Sequence, residues 1–102
     1  MVFADPLQTP REMSKLLATR SKALRLARNW KRTTLAQRSG VTVASLKRFE
    51  STGKVSLDNF LRLCDALGRL SEFDGLLQPP PAQSLAELER KAHQPPPKRG
   101  RL

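Results

Sequence analysis

The stretch LAQRSGVTVASLKRFESTG, residues 35–53, is cut at Gly40 and closed at Gly53, and this punctuation limits the fold more than any other feature. Apolar residues recur at helical spacing on both sides of the cut: Leu35 and Ala36 before Gly40, then Val41, Leu46 and Phe49 after it. Helices this short are barely stable alone in water. Each must bury its apolar side against a neighbour, so the segment reads as two short helices crossing at a turn. Glycine at position 40 permits the left-handed backbone that such a turn needs.

The same punctuation continues along the chain. Thr9-Pro10-Arg11-Glu12 is a helix start: threonine caps, proline fits the first turn, and the glutamate reaches back to a free N–H. The helix runs to about Arg28, with Met13, Leu16, Leu17, Ala23, Leu24, Leu26, Ala27 and Trp30 on one wide half of the helical wheel. Trp30, the only tryptophan, reads as a core anchor rather than a stacking platform. A second helix spans about Thr33 to Ser39, and Thr42 caps a third that runs to about Ser51. Ser56 opens a fourth with Leu57, Phe60, Leu61, Leu63, Cys64 and Leu67 inward, and Gly68 stops it. Ser71-Glu72-Phe73-Asp74 caps a short fifth helix carrying Phe73, Leu76 and Leu77. No strand pattern stands out, and the fold class expected is all-α with five helices.

Pro79-Pro80-Pro81 ends the compact part. The expected division is a domain over residues 1–78 and, over 79–102, a Pro-rich linker, a marginal helix at about 85–92 and a basic tail. A chain of 102 residues has room for one such core.

Charge is distributed unevenly. Nineteen Lys and Arg face nine Asp and Glu, for a net charge of +10. Residues 1–53 carry +8, residues 54–89 carry −3, and residues 90–102 carry +5. A basic half beside a mildly acidic segment suits one face for a polyanion and another for a different contact, although solvated surface charge gives the same sums. Cys64 lies in the apolar pattern FLRLCDAL and reads as a small buried hydrophobe. A lone cysteine makes no internal disulfide, which suits a reducing compartment. The opening MVFADPLQTP lacks a signal peptide's basic and apolar parts, and no stretch nears the roughly 20 apolar residues of a membrane span. A cytoplasmic protein that does not enter the membrane is expected. His93 has no carboxylate cluster or metal-ligand spacing beside it, so no catalytic residue, metal or cofactor is expected.

The outward positions of the third helix are informative. Thr42, Val43, Ala44, Lys47, Arg48 and Ser51 face away from Leu46 and Phe49. Small groups at the helix start allow close approach to a groove floor, and Lys47 and Arg48 can reach guanine edges or phosphates. Long Glu and Lys pairs would suit a merely structural helix better. Lys31, Arg32 and Lys54 are candidate phosphate contacts, which give affinity without sequence choice.

These residues resemble a known family. Leu35, Ala36, Gly40, Val41, Leu46, Phe49 and Glu50 together are similar to the helix-turn-helix of Cro/C1-type (xenobiotic-response-element) regulators, and LDNFLRLCDALG is similar to that family's fourth helix. The resemblance covers about residues 10–77 and implies a lambda-repressor-like DNA-binding domain with no enzymatic activity. It also implies a structural pair, Arg25 with Glu50, tying the first helix to the end of the third. Where the family usually opens its second helix with a glutamine that touches a phosphate and braces the recognition helix, this chain has Arg32. The glycine after the third helix is shifted by one residue, and Lys54 stands where a phosphate contact is often made.

One recognition helix reads too few base pairs to find an operator, whereas a dimer can read two half-sites roughly 34 Å apart on a palindrome. Leu70, Phe73, Leu76 and Leu77 are the expected dimer surface; covering the monomer's own core is the other reading. The order LRLCDALGRLSEFDGLLQPPP, LAELERK and PPPKRGRL also resembles small HipB-type regulators of HipA-kinase toxin–antitoxin systems. That resemblance implies a dimeric autorepressor with a kinase-type toxin as partner, although no C-terminal strand for a dimer sheet is present here. A module that only binds such a toxin is the competing function. The KRGR end is open to three readings: a DNA arm, an inert tail or a docked peptide.

Overall fold

A computed structural model of the chain describes residues 8–81 together with Glu89, Arg90 and Ala92. Over residues 8–81, four α-helices are followed by a 3-10 turn: α1 Pro10–Ala27, α2 Arg32–Ser39, α3 Val43–Thr52, α4 Leu57–Ala66 and the turn Leu70–Phe73. The residues N-terminal to Gln8, most of the expected helix at 85–92, His93 and the basic end lie outside the described residues. Among the described residues, no helix is long and apolar enough to cross a membrane.

Local chemistry sets the helix starts. The Thr9 hydroxyl accepts from the Glu12 N–H at 3.1 Å while the Glu12 carboxylate accepts from the Thr9 N–H at 3.0 Å, a closed capping box. The Thr9 N–H foremost, and then the Thr9 hydroxyl, which also donates to Glu12 Oε1 at 2.9 Å, hold the Glu12 carboxyl below its ordinary pKa. Thr42 accepts from Ser45 N–H and Ser56 from Asn59 N–H, each at 3.1 Å. Each bond satisfies a donor that the first helical turn leaves without a partner.

Leu35, Leu46, Phe49 and Leu63 are the largest fully buried side chains, joined in the core by Ala18, Val41 and Leu67. Burying one such side chain is worth about 1.5–3 kcal/mol. α1 packs on α3, and α2 packs on both α3 and α4. Phe60 stands edge-on to Phe49 at 5.7 Å and to Phe73 at 5.8 Å, so an aromatic chain ties the 3-10 turn to α3.

Three expectations are corrected. The buried side of α1 is Ala18, Ser21 and Arg25, whereas Met13, Ala23, Leu26 and Ala27 are exposed. Leu24 still packs against the core, but the fully buried positions of α1 go to two small residues and to the arginine that meets α3. Leu57, at the first turn of α4, is 71% exposed rather than inward. The fifth helix does not form as a helix capped by Ser71; the turn starts at Leu70 and ends at Phe73. Gly75 follows, Leu77 takes the left-handed region at φ 63°, and three prolines come next, so nothing prolongs the turn. Trp30 packs against the core as expected of an anchor, but it is half-buried. The guanidinium groups of Arg28 and Arg38 lie 5.0 and 4.7 Å from its ring centroid.

Candidate nucleic-acid interface

The two glycines set the angle between the helices that matter. Gly40 has φ +78° and donates its N–H to Ala36 O at 2.9 Å, ending α2 and turning the chain into α3. The Ser39 hydroxyl accepts from the Val41 N–H at 3.1 Å and steadies the same turn. Val41, Leu46 and Phe49 then anchor α3 on its inner side. Its opposite side carries Ala44, Lys47, Arg48 and Ser51, spaced i, i+3, i+4 and i+7 and all exposed. Thr42 and Val43 are exposed at its start.

Not every hydroxyl on this side is available to a ligand. Thr42 Oγ1 is engaged as the α3 cap and also donates to Ser45 Oγ at 2.9 Å. Ser51 Oγ and Thr52 Oγ1 both turn back to donate to Arg48 O, at 3.2 and 2.7 Å. Lys47 and Arg48 are therefore the long polar reach of the helix, and Val43 and Ala44 its low-relief end.

Behind this face sits a three-residue ion cluster. Glu50 receives Arg25 Nε on Oε2 at 2.8 Å and Arg25 Nη2 on Oε1 at 3.1 Å, a two-pronged contact between α1 and α3. The two side chains are only 6% and 2% exposed. Arg25 Nη1 also donates to Trp30 O at 2.9 Å, so the same guanidinium fixes the α1–α2 connection. Arg32, expected as a phosphate contact, places its Nε on Glu50 Oε1 at 2.9 Å. Bracing of α3 from the start of α2 is thus supplied by Arg32 through Glu50. Burial pushes the Glu50 carboxyl up, but the hydrogen bonds and charges of Arg25 and Arg32 outweigh it and hold the group below its ordinary pKa.

Beyond α3, Lys54 stands between two open clefts. One, of about 360 Å³, is lined by Ser45, Arg48, Lys54, Val55, Ser56 and Asn59. The other, of about 420 Å³, is lined by Arg11, Ser14, Thr52, Gly53, Lys54 and Val55. Ser45, Asn59 and Arg11 are absent from the sequence-based candidates; Ser45 lies on α3 itself, and only the packing of α4 and α1 beside the loop brings Asn59 and Arg11 to Lys54. Nothing local in the sequence signals that meeting.

The expected dimer residues are divided. Phe73 is half-buried and packs on Phe60 within its own domain. Leu70, Leu76 and Leu77 are exposed, Leu77 to 94%. Cys64 is half-buried, and burial foremost, with the Glu72 charge, raises its thiol pKa, which suits a packing residue rather than a nucleophile. Among the described residues, no three His, Cys, Asp or Glu side chains gather as a metal site would require.

Comparison with protein families matches residues 22–73 to the family described as helix-turn-helix. Neither the comparison with curated proteins nor that with solved structures gives a match.

Proposed function

The chain belongs to the helix-turn-helix family, in its Cro/C1-type DNA-binding and non-enzymatic form, and from that premise we propose that it is a sequence-specific transcriptional repressor acting as a dimer on a palindromic operator. The observation that carries the reading is the exposed stripe Ala44, Lys47, Arg48 and Ser51 on a helix whose other side is sealed by Leu46 and Phe49. Val43 and Ala44 enter the groove first, because nothing there holds the helix away from the base edges. Arg48 and Lys47 read or flank guanines, and Lys54 holds a phosphate beside α3. Arg32 keeps its terminal nitrogens for a phosphate while its Nε braces Glu50.

Dimerisation through Leu70, Leu76 and Leu77 is supported by their exposure beside a domain whose other large apolar residues are mostly covered. Selecting bound duplexes from a random pool with the full chain tests the whole reading. An inverted repeat with half-sites about one helical turn apart is expected. A pool that stays random overturns it.

The finer proposal is that the repressed operon is the protein's own and encodes a kinase-type toxin that it binds. Its support is the likeness of residues 61–102 to HipB-type regulators. Capturing partners with the full chain in its native host tests it: recovery of a kinase is expected, and its consistent absence sinks this part alone.

A further inference from the structure

We propose that Arg11, at the first turn of α1, holds a second backbone phosphate next to the one held by Lys54, so that the protein grips one DNA strand across the α1–α3 junction. The inference rests on the DNA-binding reading above and extends it to a residue outside the helix-turn-helix, N-terminal to the matched segment 22–73.

The juxtaposition starts at Gly53. A Cβ placed there would lie 3.0 Å from Lys15 N and 3.0 Å from Ser14 C, tighter than nearly all side-chain approaches to a backbone. Only glycine, at φ +80°, lets the end of α3 rest against the second turn of α1. That contact makes one wall of the cleft from the α1 residues Arg11 and Ser14, and the other from Thr52 and Lys54. The Lys54 backbone is pinned in turn, its N–H donating to Thr52 Oγ1 at 3.1 Å. Two cationic side chains thus leave fixed points on opposite walls of one open cleft.

The charge around it is one-sided. Glu12, the acid nearest in sequence, is folded back on Thr9 and does not line the cleft. Glu50 is neutralised by Arg25 and Arg32, and Asp58 pairs with Arg62 at 2.9 Å. The N-terminus of α1 is closed by its own capping box, so the ligand here is recognised by the two side chains and not by free helix N–H groups. Lys54 also lines the neighbouring cleft with Arg48. Lys54 and Arg11 therefore carry positive charge onward from the outward face of α3, where Arg48 lies. A sugar–phosphate backbone, with its regularly repeated anions, is the ligand chemistry that matches charge extended in this way rather than held at a point.

The test is the salt dependence of DNA binding by the full chain, using the selected operator duplex and an unrelated duplex. Each phosphate contact contributes about 0.9 to the slope of log affinity against log salt. Arg11→Gln is expected to flatten the slope by about that amount on both duplexes, and Arg11→Lys to restore it. Between 50 and 200 mM salt, the glutamine variant then loses about 3.5-fold less affinity than the parent. The selected sequence stays the same, as does thermal stability, because the side chain is exposed. A slope unchanged in Arg11→Gln but flattened in Lys54→Gln overturns the inference and leaves the DNA-binding reading standing. A parent chain with no salt-dependent binding to either duplex overturns both.

Discussion

Arg32 Nε lies 2.9 Å from Glu50 Oε1, so the residue that opens α2 and the residue near the end of α3 are joined through a carboxylate already held by Arg25. The recognition helix is thereby fixed at its C-terminal part by two cations from two different helices. The arrangement is unequal: Arg25 is buried with Glu50, whereas the Arg32 side chain is 38% exposed. Removing Glu50 leaves Arg25 buried and unpaired, which costs about 3–5 kcal/mol. Removing Arg32 leaves Glu50 its inner partner, and a half-exposed pair is worth at most about 1 kcal/mol. Urea unfolding of Glu50→Ala and Arg32→Ala should show this order. Near-equal losses would mean that the cluster is not organised around Arg25.

Acid should unfold the domain through the same carboxylate. The folded-state pKa of Glu50 is depressed, so its contribution is fully present above the unfolded carboxylate pKa. It is lost as pH falls through the lower folded value. Stability measured from neutral pH downward should therefore decline below the ordinary carboxylate range. Glu50→Gln, less stable at pH 7, should decline less steeply over that window. Parallel acid limbs in the two proteins would remove Glu50 as the source.

The helix starts and the glycine turns could be read from the sequence because their causes are local. Thr9, Thr42 and Ser56 cap within three residues, and Gly40 and Gly53 terminate the helices they follow. The inward side of α3 was equally legible, since Leu46 and Phe49 are its apolar stripe. The inward side of α1 was not. A helical wheel assumes that the apolar residues turn in, but the buried side of α1 is centred on Ala18, Ser21 and the Arg25 that pairs with Glu50, so Leu26 stays exposed. Leu57 misled for a related reason, lying one turn before the point where α4 meets the core. Arg32 with Glu50, and Arg11 with Lys54, are meetings between distant segments, which no spacing within one helix encodes.

Gly53 and Gly40 share a left-handed backbone but differ in surroundings, and substitution should separate them. An alanine at either position carries about 1–2 kcal/mol of backbone strain. At position 40 its methyl group meets only the flexible tip of Arg62, 3.5 Å away. At position 53 it meets the α1 main chain at 3.0 Å, which cannot yield without moving a helix. Overpacking of this kind adds about 1–3 kcal/mol. Thermal or urea unfolding of Gly40→Ala and Gly53→Ala should therefore place the second well below the first. Equal losses would show that α1 and α3 do not pack this closely.

Arg48 and Lys54 share a cleft but should fail in different ways when truncated. Arg48 leaves the exposed stripe of α3, where a side chain can reach base edges, and a good base contact discriminates by about 1–3 kcal/mol. Lys54 follows the helix, beside a loop, where only the sugar–phosphate backbone is within reach of such a face. Affinities of Arg48→Ala for the operator and for single-base variants should converge at one position of each half-site, while its salt slope changes little. Lys54→Ala should weaken every duplex by the same factor and flatten the slope by about one. If Arg48→Ala keeps the parent's ranking of variants and loses affinity evenly, Arg48 is a second phosphate contact. Base reading then falls to Lys47 and to the short side chains at the start of α3.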